Sequence, residues 1–354
     1  MPALLVELRH AARRLARTPT LVVAVIGTLG LTIGATVAVY GVVHRVVLRP
    51  LPFPEADRLV WLDHAGPGIG AERGLDLTPG LYQTYRTSTR TLAQMAAYTT
   101  VDMNVVADGE PERLEVTSAT ATFATTLAVV PRLGRFFTTA EDLPGGAPVA
   151  VLGEGFWLRR FGGDAAAIGR TVSVNGVAHE IIGVMPGDFA FPSIETALWV
   201  PLALNPVTTT LGSFSLRGIG RLAPGADPAS AERELAAFLP RIAESIPDAA
   251  GLVAQVRLQP LVTPLKDHLV GDVQRTLWIL LAAVGFVLLI GAANITALFV
   301  VRAESRQREV AVRVALGAGR ATLLRHSIAE SLLLSVAGGT LGDGVAKERG
   351  PAGA

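Results

Sequence analysis

The sequence predicts a membrane protein: α-helical transmembrane segments plus a large α+β domain in water. Three observations carry this. Residues 18–43 hold no charged side chain, and neither do residues 276–301. Each stretch exceeds the roughly 20 helical residues that cross a hydrocarbon core of about 30 Å. The roughly 230 residues between them mix helix-period and strand-period patterns, as a folded soluble domain does. The mean hydropathy of +0.44 is too apolar for an ordinary soluble protein.

Charge predicts the orientation. Residues 1–43 carry four arginines, Arg9, Arg13, Arg14 and Arg17, against one acid, Glu7. Residues 44–275 carry 19 basic and 24 acidic side chains, and residues 302–354 carry eight and five. Basic flanks stay in the cytoplasm, whereas a long loop crosses largely regardless of its charge. The middle domain is therefore expected outside, with the N-terminus inside. The first apolar run far exceeds the roughly 7–15 residues of a signal-peptide core, so it is expected to stay as a helix. With no cysteine anywhere, the outer domain must hold itself by core packing.

Along the chain, residues 3–17 read as an amphipathic helix, with Leu5, Leu8, Ala12 and Leu15 opposite His10, Arg13, Arg14 and Arg17. In the first span, Gly27, Gly30, Gly34 and Gly41 with Thr28, Thr32 and Thr36 make a small-residue face, which lets helices approach closely in lipid. Pro50, Pro52 and Pro54 stiffen the exit. Residues 58–62 read as a strand, 79–97 as a helix, 150–152 as a buried strand and 154–161 as a helix. Asn175-Gly176 between β-branched runs predicts a hairpin over 171–184, because a type I′ turn needs positive φ at both positions. Asp227-Pro228 opens a helix whose apolar face is Ala231, Leu235, Phe238 and Ile242. Residues 252–258 alternate and read as a strand. After the second span, residues 302–325 are basic and helical in pattern, broken at Gly317-Ala318-Gly319. Residues 328–341 start a third apolar helix too short to span, and the tail from 343 leaves the pattern, as a truncated gene, frameshift or fragment would.

Catalytic chemistry is not legible. The two lysines, Lys266 and Lys347, follow no G-x-x-x-x-G-K loop, so an ATP-driven process needs its nucleotide site on another polypeptide. The six histidines are scattered, with no H-E-x-x-H, and no G-x-S-x-G elbow is present. The turn-rich Gly66–Gly70 run lacks the basic helix a phosphate cradle needs, and His179 beside the hairpin reads as structural. No catalytic residue, metal or cofactor is expected.

Three groups of residues carry a resemblance. The first is Leu48-Arg49-Pro50-Leu51-Pro52-Phe53-Pro54-Glu55 after the first span. The second runs from Leu133-Gly134-Arg135-Phe136-Phe137 through Phe156-Trp157-Leu158-Arg159-Arg160-Phe161 to Ile182-Gly183-Val184-Met185-Pro186. The third is Arg308-Glu309-Val310-Ala311-Val312-Arg313-Val314-Ala315-Leu316-Gly317. Together they resemble MacB/FtsX-like permeases of ABC transporters, in the duplicated orphan branch, over residues 1 to about 342.

The resemblance implies a division of the chain. Residues 1–17 would be the cytoplasmic helix, 18–44 the first span and 45–274 a MacB-like periplasmic core. Residues 275–301 would be the second span, 302–325 a cytoplasmic coupling segment, 326–342 part of a third span and 343–354 the tail. Within the core, 53–125 and 212–270 would form a membrane-proximal subdomain, and 126–211 an inserted one. The coupling segment would dock on a separate ABC ATPase through Arg302, Glu304, Arg306, Arg308, Glu309, Arg313, Leu316 and Gly317. A second permease half or homodimer partner, the lipid bilayer and a periplasmic adaptor or partner protein are the other implied partners, with no nucleic acid. Glu330 in the partial third span reads as an interfacial residue. Two readings stay open: an efflux or mechanotransmission permease of the plasma (inner) membrane, and a scaffold that regulates a periplasmic partner without moving cargo.

Overall fold

The structure is a computed structural model that describes residues 19–44, 50–107, 109–205, 211, 214–246 and 249–305. The amphipathic segment, the coupling segment beyond residue 305, Glu330 and the partial third span lie outside the described residues. The chain divides into two units, Pro50–Leu269 and the remainder.

In the remainder, α1 (Pro19–Val43) contains an apolar span over Val25–Val43. The long helix α7 (Leu265–Ser305), the last among the described residues, contains a second over Val273–Ala297. Both are long and apolar enough to cross a membrane, and Val23, Leu31, Phe286 and Leu289 stand exposed on them. The two helices meet through small groups. A Cβ built on Gly291 would lie 3.0 Å from Thr32 Cγ2 and 3.3 Å from Thr28 Cγ2. The hydroxyls of Thr32 and Thr36 donate back to the carbonyls of Thr28 and Thr32, both at 2.7 Å, so each hydroxyl proton has a partner inside its own helix. Gly30 and Gly34 are buried, whereas Gly27 and Gly41 face open space, so only part of the small-residue face is used. Gly291→Leu is expected to cost about 1–3 kcal/mol through overpacking. The check is the melting temperature in detergent, with Gly285→Leu as control, because Gly285 has open space around it.

In Pro50–Leu269, eleven strands form one sheet. They are β1 (Leu59–Gly66), β2 (Ala71–Leu75), β3 (Leu92–Ala107), β4 (Glu110–Ala119), β5 (Leu133–Gly134) and β6 (Val149–Leu152). They continue with β7 (Thr171–Val174), β8 (Val177–Val184), β9 (Leu198–Pro201), β10 (Arg217–Leu222) and β11 (Gln259–Pro264). The order runs β11-β1-β10-β3-β4-β9-β6-β8-β5, with β2 beside β1. Strand β7 pairs with both β3 and β8, which closes β3, β4, β9, β6, β8 and β7 into a ring. Every ring strand contributes to one buried cluster, among them Val105, Val116, Leu198, Leu152, Ile181 and Val172, none more than 1% exposed. Phe156, Trp157 and Phe161 of α4 (Glu154–Phe161) pack on the same cluster. Full burial of such a side chain is worth about 1.5–3 kcal/mol. Asn175 both makes the hairpin turn, at φ 49°, and completes the closure. Its Oδ1 accepts from Asn104 N at 3.0 Å, and its own N donates to Asn104 O at 2.8 Å.

The open half of the sheet carries α2 (Pro79–Ser88), α5 (Pro228–Ser245) and α6 (Ala249–Val256) over a second cluster. Helix α5 starts as its sequence predicts. Ser230 N donates to Asp227 Oδ1 at 2.6 Å and Asp227 N donates to Ser230 Oγ at 3.0 Å, a reciprocal cap. A third cluster, built around the short α3 (Phe123–Leu127), joins the two halves through Tyr98, Phe123, Phe189, Phe191 and Trp199.

Two sequence expectations are corrected. The helix over 79–97 stops at Ser88, and Leu92 begins β3. Glu234 of α5 takes the chain there: Thr89 Oγ1, Arg90 N and Thr91 N donate to its carboxylate at 2.7, 3.0 and 2.9 Å. Burial raises its pKa, but the bonds from Thr91, Thr89 and Arg90 outweigh burial and hold it at about 2. The strand over 252–258 is instead helix α6 followed by β11. Burial there follows a helical repeat, with Ala249 and Val256 buried and Leu252 and Val253 packed beside them. Arg257, at φ 54°, ends that helix.

Candidate functional site

Of the predicted docking residues, the structure describes Arg302 and Glu304, both in the last turn of α7, with Glu304 exposed. Arg306, Arg308, Glu309, Arg313, Leu316 and Gly317 lie outside the described residues. The site is therefore built from the described residues where the chain enters and leaves Pro50–Leu269.

The entry is pinned by arginines. Arg221, in β10, donates through Nε to Thr126 O at 2.9 Å and through Nη1 to Pro54 O at 2.9 Å. It is 8% exposed, and burial lowers its pKa from the ordinary guanidinium value. Arg58 donates to Leu222 O through both Nε and Nη2, at 3.0 and 2.6 Å, and pairs with Glu55. Phe53 meets Phe189 and Phe191 edge-on at 6.3 and 6.2 Å. The proline-rich linker leaves few N–H donors for a ladder; its Pro54 and Glu55 carbonyls are bound by Arg221 of β10, and Arg58 just past it binds the Leu222 carbonyl of β10.

The exit has no loop at all. Strand β11 ends at Pro264 and α7 begins at Leu265. Thr263 pairs with Trp61 and Pro264 with Val60 across the β1–β11 ladder. Leu265 is fully buried. One turn later the His268 ring lies flat on Trp61, with centroids 3.8 Å apart and planes 8° apart. Trp61 meets Tyr98 edge-on at 6.4 Å, and Tyr98 meets Phe123 and Phe191 at 5.4 and 5.6 Å. Sequence reasoning missed this junction. His268 and Trp61 are remote in sequence, and nothing local marks either as a partner.

Other candidates resolve as structure. His179 bonds the Val177 carbonyl of its own hairpin at 2.9 Å. Gly66-Pro67-Gly68-Ile69-Gly70 is a tight turn packed on α6, where a Cβ at Gly68 would lie 1.8 Å from Gln255 O. Among the described residues, no three His, Asp or Glu side chains gather as metal ligands would. A cleft of about 480 Å³ opens between α4 and residues 186–199, with Glu154, Arg159, Phe189 and Trp199 in its walls. Glu154 there pairs with Arg132.

A family model described as MacB-like periplasmic core domain matches residues 22–238, and one described as FtsX-like permease C-terminal matches residues 281–346. The chain is 30% identical over 214 residues to a macrolide export ATP-binding/permease protein MacB from Wolinella succinogenes, covering 58% of this chain and 31% of that protein. It is 25% identical over 220 residues to a pyoverdine export ATP-binding/permease protein PvdT from Pseudomonas syringae pv. tomato, covering 59% and 31%. The match thus spans about a third of the length of these relatives. The periplasmic region of MacB from Actinobacillus actinomycetemcomitans aligns with 65% of this chain and 98% of its own, at 12% identity and a TM-score of 0.46.

Proposed function

Because this chain belongs to the MacB/FtsX-like family of ABC permeases, a membrane family with a large extracytoplasmic α+β domain, we propose that it is the permease subunit, or its N-terminal half, of an efflux or mechanotransmission complex. A separate ABC ATPase binds nucleotide and docks on residues 302–320 from the cytoplasm. The N-terminus is cytoplasmic, and Pro50–Leu269 lies outside the inner membrane. Export is the direction in the names of the relatives, macrolide export and pyoverdine export. The subdomains are 53–125 with 212–270 and 126–211; the open-half cluster comes mostly from the first, and the ring cluster draws on the second together with β4 and the far end of β3, a strand that serves both clusters.

The observation that carries the proposal is the unbroken α7. Its first residue, Leu265, is fully buried, its middle is apolar enough to span, and its last turn holds Arg302 and Glu304. A helix without a break passes displacement along its length, because bending needs a proline, a bulge or an inserted group. Charges in the docking segment set register against a complementary groove. Replacing Arg308, Glu309 and Arg313 together with alanine is expected to abolish co-purification of a co-expressed ABC ATPase. Undiminished recovery would sink the docking role.

A further inference from the structure

We propose that the His268–Trp61 stack is a joint that fixes the first turn of α7 to the sheet, making His268 a positioning residue for transmission along the helix. The inference rests on the proposed function for its purpose, though not for its geometry.

A helix held by one buried contact can still roll and tilt about that contact. Leu265 supplies one contact, in the aromatic cluster. His268, three residues on and on the same face, supplies a second. Two contacts one turn apart on a rigid surface remove both freedoms. That surface is rigid for separate reasons. Trp61 sits in β1, hydrogen-bonded to β10 on one side and β11 on the other. Its ring is backed by Tyr98, itself closed in by Phe123 and Phe191. The strand preceding the helix is the one that pairs with Trp61 itself, and Pro264 fixes φ at the changeover. Ladder and ring contact therefore converge on a single tryptophan.

His268 is exposed, whereas Trp61 is 5% exposed. The imidazole is a lid on the indole and adds little to the core beneath it. Stacked flat, two rings constrain rotation as well as distance, which a branched aliphatic chain does not. Removing the ring should loosen the helix start without unfolding the domain.

The absence of cysteine allows a direct test in the full chain, reconstituted in nanodiscs. Spin labels are placed at the exposed Glu72 and Leu269, both within Pro50–Leu269, through Glu72→Cys and Leu269→Cys, and their distance distribution is measured by pulsed EPR. With His268 present the distribution is narrow. His268→Ala is expected to broaden it about two-fold or more, while His268→Phe, which keeps a flat ring, restores the narrow one. The thermal midpoint of Pro50–Leu269 in all three proteins stays the same. A distribution as narrow in His268→Ala as in the parent overturns the joint. So does one as broad in His268→Phe as in His268→Ala. The measurement involves no ATPase, so a failed docking experiment and a failed joint are separate results.

Discussion

Replacing Phe123 with alanine is expected to destabilise the extracytoplasmic domain by about 3–5 kcal/mol, the usual cost of emptying a buried phenylalanine site. Phe123 is fully buried. Its ring meets Tyr98 at 5.4 Å, Phe191 at 5.9 Å, Phe136 at 6.3 Å and Phe189 at 6.5 Å. These neighbours come from separate strands and loops, so they cannot close on the cavity without moving the sheet. A single removal thus loses transfer free energy and leaves a void as well. The measurement is urea unfolding of the purified chain in detergent, followed by near-ultraviolet circular dichroism. The midpoint should fall with the slope unchanged. A loss below about 1 kcal/mol would mean that the cluster is not closely packed, since that is the range of a surface change.

The second large effect is acid lability centred on His64. This histidine is wholly buried in β1, and its Nε2 lies 3.0 Å from Tyr85 Oη. Burial lowers its pKa from 6.5 to about 4, opposed only weakly by the Leu75 backbone. The folded state therefore takes up its proton later than the unfolded chain. Between pH 6.5 and about 4 the unfolded chain binds more protons, so stability falls as pH falls. Integrated over that window the loss is about 3 kcal/mol. Nearby Asp63 acts the other way, since burial raises its pKa and its contribution is lost as pH rises. Glu141 and Glu234, both held at about 2, lose their contributions only below pH 4.5, where His64 has largely finished. His64→Phe should flatten the pH dependence between 6.5 and 5 whatever it does to the plateau. An unchanged slope would refute the assignment.

Local chemistry was legible in the sequence wherever a short motif has a single solution. Asn175-Gly176 made its hairpin and Asp227-Pro228 its capped helix, because both depend on backbone geometry within four residues. The helix at 154–161 followed from its pattern, and the two apolar spans from the length of their uncharged runs. Residues 252–258 failed because a helix with Leu252, Val253 and Val256 inward and a strand with 252, 254, 256 and 258 inward make similar short patterns. Arbitration came from Ala249, outside the run, and from the positive-φ turn at Arg257 within it. Residues 89–97 failed because Glu234, far along the chain, ends the helix. The junction at Trp61 and His268 was invisible for the same reason: each ring is ordinary until the β1–β11 pairing brings them together.

The closed ring of β3, β4, β9, β6, β8 and β7 has a consequence for recognition. An open sheet offers its outermost strand as a template on which a foreign strand can be added. Six strands that each have two neighbours offer no such template. A visiting polypeptide meets only side chains and turns there, and so has to be recognised by shape and charge at the rim. The same closure keeps this part of the molecule from polymerising edge to edge when it folds outside the cell membrane.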